Sequence, residues 1–270
     1  PPAEMKHRAR KRFGQNFLTD ALVIQRILDA VAPEAGQLIF EIGPGHGALT
    51  RPLIESGAEL QLLELDRDLA GKLEPTIRHV PNAELHVGDA LKADFSILSG
   101  GRRFRLVGNL PYNISTPLLF HVLQWSELIV DMHFMLQKEV VDRMGAQPGS
   151  KQWGRLSLMC QYRCAVSPLF TVPPGAFDPA PKVQSTVVRL VPHKQPPVTI
   201  DDPAAFERVV GRAFSMRRKT LRNSLRKLLD AEQIEAAGID PGIRPECLGL
   251  GQFAALSNLL SKQDEPEKIS

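Results

Sequence analysis

Leu38-Ile39-Phe40-Glu41-Ile42-Gly43-Pro44-Gly45-His46-Gly47-Ala48 is the stretch on which the fold turns. Its first five residues, mostly aliphatic and aromatic, have the composition of a short buried strand. Gly43, Gly45 and Gly47 follow, and glycine lets a backbone turn tightly or lie close against a ligand. A helical pattern then runs over about residues 47–56. Strand, glycine turn and helix in that order open an α/β sheet, which presents ligands at the carboxyl ends of its strands.

On the C-terminal side of this stretch, strand-like runs recur at 60–64, 83–87, 104–107, 132–136 and 186–190. Helical patterns lie between them at about 67–79, 117–126, 138–144 and 155–164. This alternation predicts a mainly parallel sheet covered on both faces. The proline-rich stretch 170–182 predicts an ordered loop near the sheet edge. Pro192-His193-Lys194-Gln195-Pro196-Pro197 marks a composition break and reads as a linker. Beyond it the pattern is helical, at about 203–214, 220–229, 232–237 and 252–261. The expected architecture is an α/β, Rossmann-like domain over 1–191, a linker at 192–197 and a small all-α domain over 198–270.

Composition narrows the class. A hydrophobic fraction of 43% and a charged fraction of 23% are ordinary for a globular protein in water. No apolar run approaches the ~20 residues needed to cross a membrane, and the first residues are polar and basic with no apolar signal region. Three cysteines argue against a disulfide framework and for a reducing, cytoplasmic setting. Cys160 and Cys164, four apart on a predicted helix with no second Cys or His pair nearby, read as core residues. The net charge of +3 is mild but unevenly spread.

The glycine loop alone is ambiguous. Gly43, Gly45 and Ala48 fit the dinucleotide fingerprint, and Glu64 falls near the distance of a ribose-binding acid, so a nicotinamide enzyme is a candidate. Two acids tilt the other way. Glu41 sits just ahead of the glycines, where the E-x-G-x-G-x-G pattern of class I methyltransferases places an acid beside the amino-acid end of S-adenosylmethionine. Asp89, after the third strand, is placed to accept a hydrogen bond from the cofactor's adenine amine.

Asn109-Leu110-Pro111-Tyr112 follows the fourth strand and precedes a predicted helix start with Thr116 as N-cap and Pro117 at the first helical position. The tetrapeptide resembles the (Asp/Asn/Ser)-Pro-Pro-(Tyr/Phe) signature of amino-methyltransferases, with Leu110 in the second position. Adenine N6 is a poor nucleophile because its lone pair is delocalised into the ring. The Asn109 side-chain oxygen and the Leu110 carbonyl can each accept one N6 hydrogen, which favours a pyramidal nitrogen. Pro111 helps aim the Leu110 carbonyl, and Tyr112 offers a stacking face worth ~1–3 kcal/mol per base.

With these residues in place the chain resembles the small-subunit ribosomal RNA adenine dimethyltransferases (the KsgA family). The resemblance runs over roughly residues 10–260. It is carried by Arg12-Phe13-Gly14-Gln15-Asn16-Phe17-Leu18, the glycine loop, Gly108 through Ser115, Met135 through Val140, and Arg217 through Asn223. It implies transfer of methyl groups from S-adenosylmethionine to N6 of two adjacent adenines near the 3′ end of small-subunit rRNA. It implies an assembled small-subunit (30S) particle as partner and a monomeric protein.

Roles carry over residue by residue. Asn16 and Leu18 would close over the cofactor, and Gly43 would approach its methionine end. Glu64 would hold the ribose hydroxyls and Asp89 the adenine. Asn109, Leu110, Pro111 and Tyr112 would hold the target base, and Phe177 would sandwich it against Tyr112. His46, Trp153, Ala180 and Gln184 depart from the usual pattern; none touches the proposed amine-binding atoms.

Two basic clusters fit an RNA partner independently. Residues 6–12 hold five Lys or Arg, and residues 212–227 hold seven with no acid. On a helix starting near Thr220, Leu221, Leu225 and Leu228 would share one stripe while Arg222 and Arg226 lie beside it. Arg217, Arg218, Lys219, Arg222 and Arg226 are the candidate RNA contacts. A target adenine must be unstacked to reach a strand-tip pocket, so a loop or single-stranded junction is the expected substrate. Two rivals remain: the related large-subunit rRNA dimethyltransferases, and a non-catalytic nucleic-acid-binding module.

Overall fold

A computed structural model of the chain describes residues 15–216 and 218–264. The basic stretch 6–12, the segment 12–14 and Arg217 lie outside the described residues. In chain order the first elements are β1 (Phe17–Leu18), α1 (Ala21–Val31), β2 (Leu38–Ile42), α2 (Thr50–Glu55), β3 (Glu59–Glu64), α3 (Arg67–Ile77), β4 (Ala83–Val87), α4 (Phe95–Ser99), β5 (Phe104–Asn109), α5 (Ser115–Val122) and β6 (Ile129–Gln137). They are followed by α6 (Lys138–Met144), α7 (Arg155–Arg163), β7 (Cys164–Val172), β8 (Phe177–Asp178), β9 (Ser185–Pro192), α8 (Pro203–Ser215), α9 (Leu221–Ser224), α10 (Ala231–Ala236) and α11 (Leu250–Asp264).

Seven strands form one sheet in the order β4-β3-β2-β5-β6-β9-β7. The β2–β3, β2–β5, β3–β4 and β5–β6 pairs are parallel, and β6–β9 is antiparallel. All five residues of β2 are buried, as expected for a central parallel strand with both faces covered. The chain winds from β2 out through β3 to β4, then returns to place β5 on the other side of β2. That reversal leaves a crevice beyond the carboxyl ends of β2 and β5, the usual ligand position in an open α/β sheet. On one face Phe40, Phe95 and Phe104 pack edge-on or stacked with centroids 4.9–5.9 Å apart.

By its contacts the chain divides into two compact units: residues up to Val141 with Ser167–Pro192, and Asp142–Val166 with the residues from His193 onward. In the second unit α8 buries Phe206, Val209, Val210 and Ala213. Trp153 is also buried there, its indole N–H donating to the Leu248 carbonyl at 2.9 Å.

Several expectations are corrected. Helix α5 starts at Ser115, not after a Thr116 cap. The chain has already turned, with Ile114 N–H donating to Pro111 O at 3.1 Å and Ser115 Oγ to Tyr112 O at 3.2 Å. Pro117 then falls in the first turn, where its missing N–H costs no helical bond. The expected 220–229 helix is only α9, ending at Ser224, and Asp230 caps α10 by accepting from Gln233 N–H at 2.9 Å. Leu221, Leu225 and Leu229 are buried, so Leu229 takes the place expected for Leu228. β7 starts at Cys164, the last residue of the expected 155–164 helix, and runs into the expected 170–182 loop. It lies at the sheet edge, where Pro168 needs no ladder partner.

Helix α1 was not foreseen, although Asp20 accepts from Leu22 and Val23 N–H and Val23, Ile27 and Val31 line its buried face. Cys160 and Cys164 are buried, and burial pushes the Cys164 thiol up to about 12. No described helix is long and apolar enough to cross a membrane.

Candidate active site

The crevice at the carboxyl ends of β2 and β5 is a cavity of about 340 Å³. Asn16, Leu18, Gly43, Glu64, Asp89, Asn109, Leu110, Pro111 and Tyr112 all line it, so five separate stretches of the chain meet there. Glu41, Asp66 and His46 line it as well. No lysine or arginine does so among the described residues.

The glycine loop shapes one wall. Gly43 and Gly45 have φ of 66° and 57°, values that residues with a β-carbon rarely adopt. Gly45 is also crowded: a β-carbon there would lie 3.1 Å from the Phe17 ring. Glu41 projects from β2 with its carboxyl buried and its Oε2 accepting from Thr50 Oγ1 at 2.7 Å. Burial raises its pKa to about 7, the Thr50 hydrogen bond pulls the other way, and the charge of Glu64 adds to the rise. Glu64 ends β3 and is held from both oxygens, Oε2 by Gly45 N–H at 3.1 Å and Oε1 by Asp66 N–H at 2.9 Å. Burial pushes its pKa up despite those bonds. Each oxygen keeps a second lone pair for a ligand hydroxyl. Asp89 begins a short turn, accepting from Leu91 N–H at 3.0 Å.

The strand tip forms the other wall. Gly108 lets β5 approach β2 so closely that a β-carbon would sit 2.8 Å from Ile42 O. Asn109 Nδ2 donates to the Asn16 carbonyl at 2.9 Å, which leaves its Oδ1 as the acceptor end. Leu110 N–H donates to Met135 O at 3.3 Å. The Tyr112 hydroxyl is tied to Ser185 Oγ at 2.9 Å, fixing the ring.

Phe177 is placed differently from the expectation. Paired with Leu18 across β1 and β8, it is buried in the apolar core and does not line the cavity. Of the expected RNA contacts, Arg218, Lys219, Arg222 and Arg226 are exposed in the second unit. Sequence reasoning missed Gln15 and Asp66 as cavity residues. Asp66 was detectable as the N-cap of α3, accepting from Asp68 N–H at 2.9 Å. Gln15, whose Nε2 donates to Asp66 Oδ2 at 3.1 Å, carried no local signal.

A sequence profile of the family described as ribosomal RNA adenine dimethylase matches residues 6–262. The chain belongs to that family. Membership assigns it rRNA adenine dimethylation. A Pseudomonas aeruginosa protein named ribosomal RNA small subunit methyltransferase A is 57% identical over 258 residues, covering 95% of this chain and 96% of that protein. The protein of the same name from Acinetobacter baylyi is 54% identical, covering 95% of this chain and 94% of its own length.

Among solved structures, a dimethyladenosine transferase from Plasmodium falciparum superposes with a TM-score of 0.75 at 23% identity, covering 89% of this chain and 95% of that one, a likeness of fold. The 23S rRNA methyltransferase ErmE superposes with a TM-score of 0.71 at 26% identity, covering 91% of this chain and 100% of that one. The family leaves no place for the nicotinamide reading.

Proposed function

We propose that the chain transfers methyl groups from S-adenosylmethionine to N6 of two adjacent adenines near the 3′ end of small-subunit rRNA, acting as a monomer on a cytoplasmic small-subunit particle. The observation that carries the reading is the acid-lined cavity meeting the Asn109 amide at one strand tip. The cavity fits a cationic cofactor: Glu41 for its ammonium, Glu64 for its ribose hydroxyls and Asp89 for its adenine amine. When bound, that cofactor supplies an electrophilic methyl group on a sulfonium.

The protein's own part is positional. Asn109 Oδ1 and the Leu110 carbonyl accept the two N6 hydrogens, hold the amine out of conjugation and aim its lone pair. No strongly shifted base is required, since the product cation can lose its proton afterwards. Tyr112 supplies the stacking face. Phe177 would have to leave the apolar core to supply a second one, so the base-stacking role rests on Tyr112.

Small-subunit rRNA is favoured over large-subunit rRNA because the relatives at 54–57% identity carry the small-subunit name, whereas ErmE stands at 26%. The test of the site is Asn109→Ala. Methyl transfer should fall about 100-fold or more while S-adenosylmethionine affinity stays within about threefold. Equal loss of both would remove Asn109 from the chemistry.

A further inference from the structure

The Asn109 amide has two chemically different ends, and its strand fixes neither. β5 sets the backbone through the Asn109–Met135 pair. Rotation about an asparagine's terminal side-chain bond remains broad and roughly two-fold. One orientation offers an acceptor to an incoming amine; the other offers two N–H donors and repels it. The choice is made by a group outside the main sheet, the Asn16 carbonyl, which accepts from Nδ2 at 2.9 Å. Turning the amide over would set Oδ1 against that carbonyl, two acceptors with no proton between them.

The Asn16 carbonyl is itself held from both sides. Before it, Gln15 Nε2 donates to Asp66 Oδ2 at 3.1 Å. After it, Phe17 and Leu18 pair with Asp178 and Phe177, and the N–H groups of Thr19 and Asp20 donate to Ala176 O at 2.9 and 3.3 Å. The Phe17 ring lies 4.2 Å from that of His46 and occupies the space a β-carbon at position 45 would need. Gly45, His46 and Asp66, which hold this segment, line the same cavity as Asn16.

We infer that residues 15–18 form a positioning strap whose Asn16 carbonyl sets the Asn109 amide, so that closing the methyl-donor cavity and presenting Oδ1 to the adenine amine are one structural event. Asn16 is thus a positioning residue acting through its backbone, while Asn109 touches the base. The inference rests on the proposed reading of Asn109 as the N6 acceptor.

Asn109→Asp separates the two claims. Its carboxylate keeps an acceptor oxygen but has no proton for the Asn16 carbonyl; once protonated it has both a donor and an acceptor. The other titratable groups facing the cavity are Glu41, His46, Glu64, Asp66, Asp89 and Tyr112, and the wild-type profile contains them all. Single-turnover methyl transfer is measured from about pH 5.5 to 8.5 at saturating S-adenosylmethionine and small subunits. S-adenosylhomocysteine binding shows that each variant keeps an intact cavity.

The N109D rate should be at least about 100-fold below wild type at pH 8. Relative to wild type it should rise about tenfold for each pH unit descended, until the carboxyl is protonated. A ratio that ignores pH, or an N109D rate equal to wild type at pH 8, overturns the strap's role. If N109A is slow in the same assay, the acceptor reading survives that failure; a fast N109A overturns the acceptor reading itself. In a second measurement, Phe17→Ala, which loosens the strap, should slow transfer when Asn109 is present and not in the N109A background. Additive losses would overturn the inference.

Discussion

Glu41 is a carboxyl at 2% exposure, held by one hydroxyl and facing a second buried acid. Its pKa is raised to about 7 in the folded chain against 4.5 for the ordinary group. A raised folded-state value means that the folded form binds the proton more tightly than the unfolded form. Its contribution to stability is complete below the unfolded value and is lost as pH rises through 7. Glu41→Gln should therefore stabilise the free protein by about 2–3 kcal/mol at pH 8, a gain that fades toward pH 5, measured by urea unfolding. The same change should weaken S-adenosylmethionine binding, because a neutral amide replaces the partner of a cation. A variant that is no more stable at pH 8 would mean Glu41 ionises freely in the fold. At this scale the sequence was informative where a residue's role depends on its neighbours along the chain, as with Glu41, Glu64 and Asn109. It was silent on Gln15, whose role arises from a partner 51 residues away.

At the scale of elements, two contacts hold the site's strands. Gly108 pairs with Ile42, and its lack of a β-carbon sets the β2–β5 approach at the cavity floor. Gly108→Ala should destabilise the chain by about 1–3 kcal/mol and slow methyl transfer by displacing Asn109, its neighbour. Unfolding and transfer rates that match wild type would show that the sheet yields there without cost. Further along the sheet, Asp131 on β6 receives Arg105 from β5 at 2.7 and 3.0 Å and Arg189 from β9 at 3.1 and 3.2 Å. Burial alone would raise its pKa, but the two arginines and His133 outweigh that and hold it low. The stabilisation is present at neutral pH and is lost as pH falls through the folded value. Asp131→Ala, which leaves the Arg105 charge without its carboxylate and only the neutral acceptors Gln37 Oε1 and Ala32 O, should cost about 3–5 kcal/mol with cofactor affinity little changed. A cost below about 1 kcal/mol would place the cluster among weak surface pairs. Strands β2–β6 were legible because each is a short apolar run between turn signals. β7 was not, because an edge strand needs no apolar face, and its proline and exposed residues imitate a loop.

Arg218, Lys219, Arg222, Arg226 and Lys227 are all exposed in the second unit and form no ion pair among the described residues. Replacing Arg218, Arg222 and Arg226 with glutamine should make the logarithmic dependence of RNA binding on salt shallower by about 2. An unchanged slope would assign those arginines to a solvated face. The α/β architecture was legible from alternation alone, and the family from motifs spread over most of the chain. The grouping of Asp142–Val166 with the later helices was not, since it depends on contacts rather than on a composition break. The assignment of methylation to N6 of two particular adenines is tested by labelled methyl transfer to unmethylated small and large subunits, followed by mapping of the modified nucleotides. N6,N6-dimethyladenine is expected at two adjacent positions near the 3′ end of small-subunit rRNA, with no label in large subunits; label on large-subunit rRNA, on another atom, or on neither RNA would overturn the assignment.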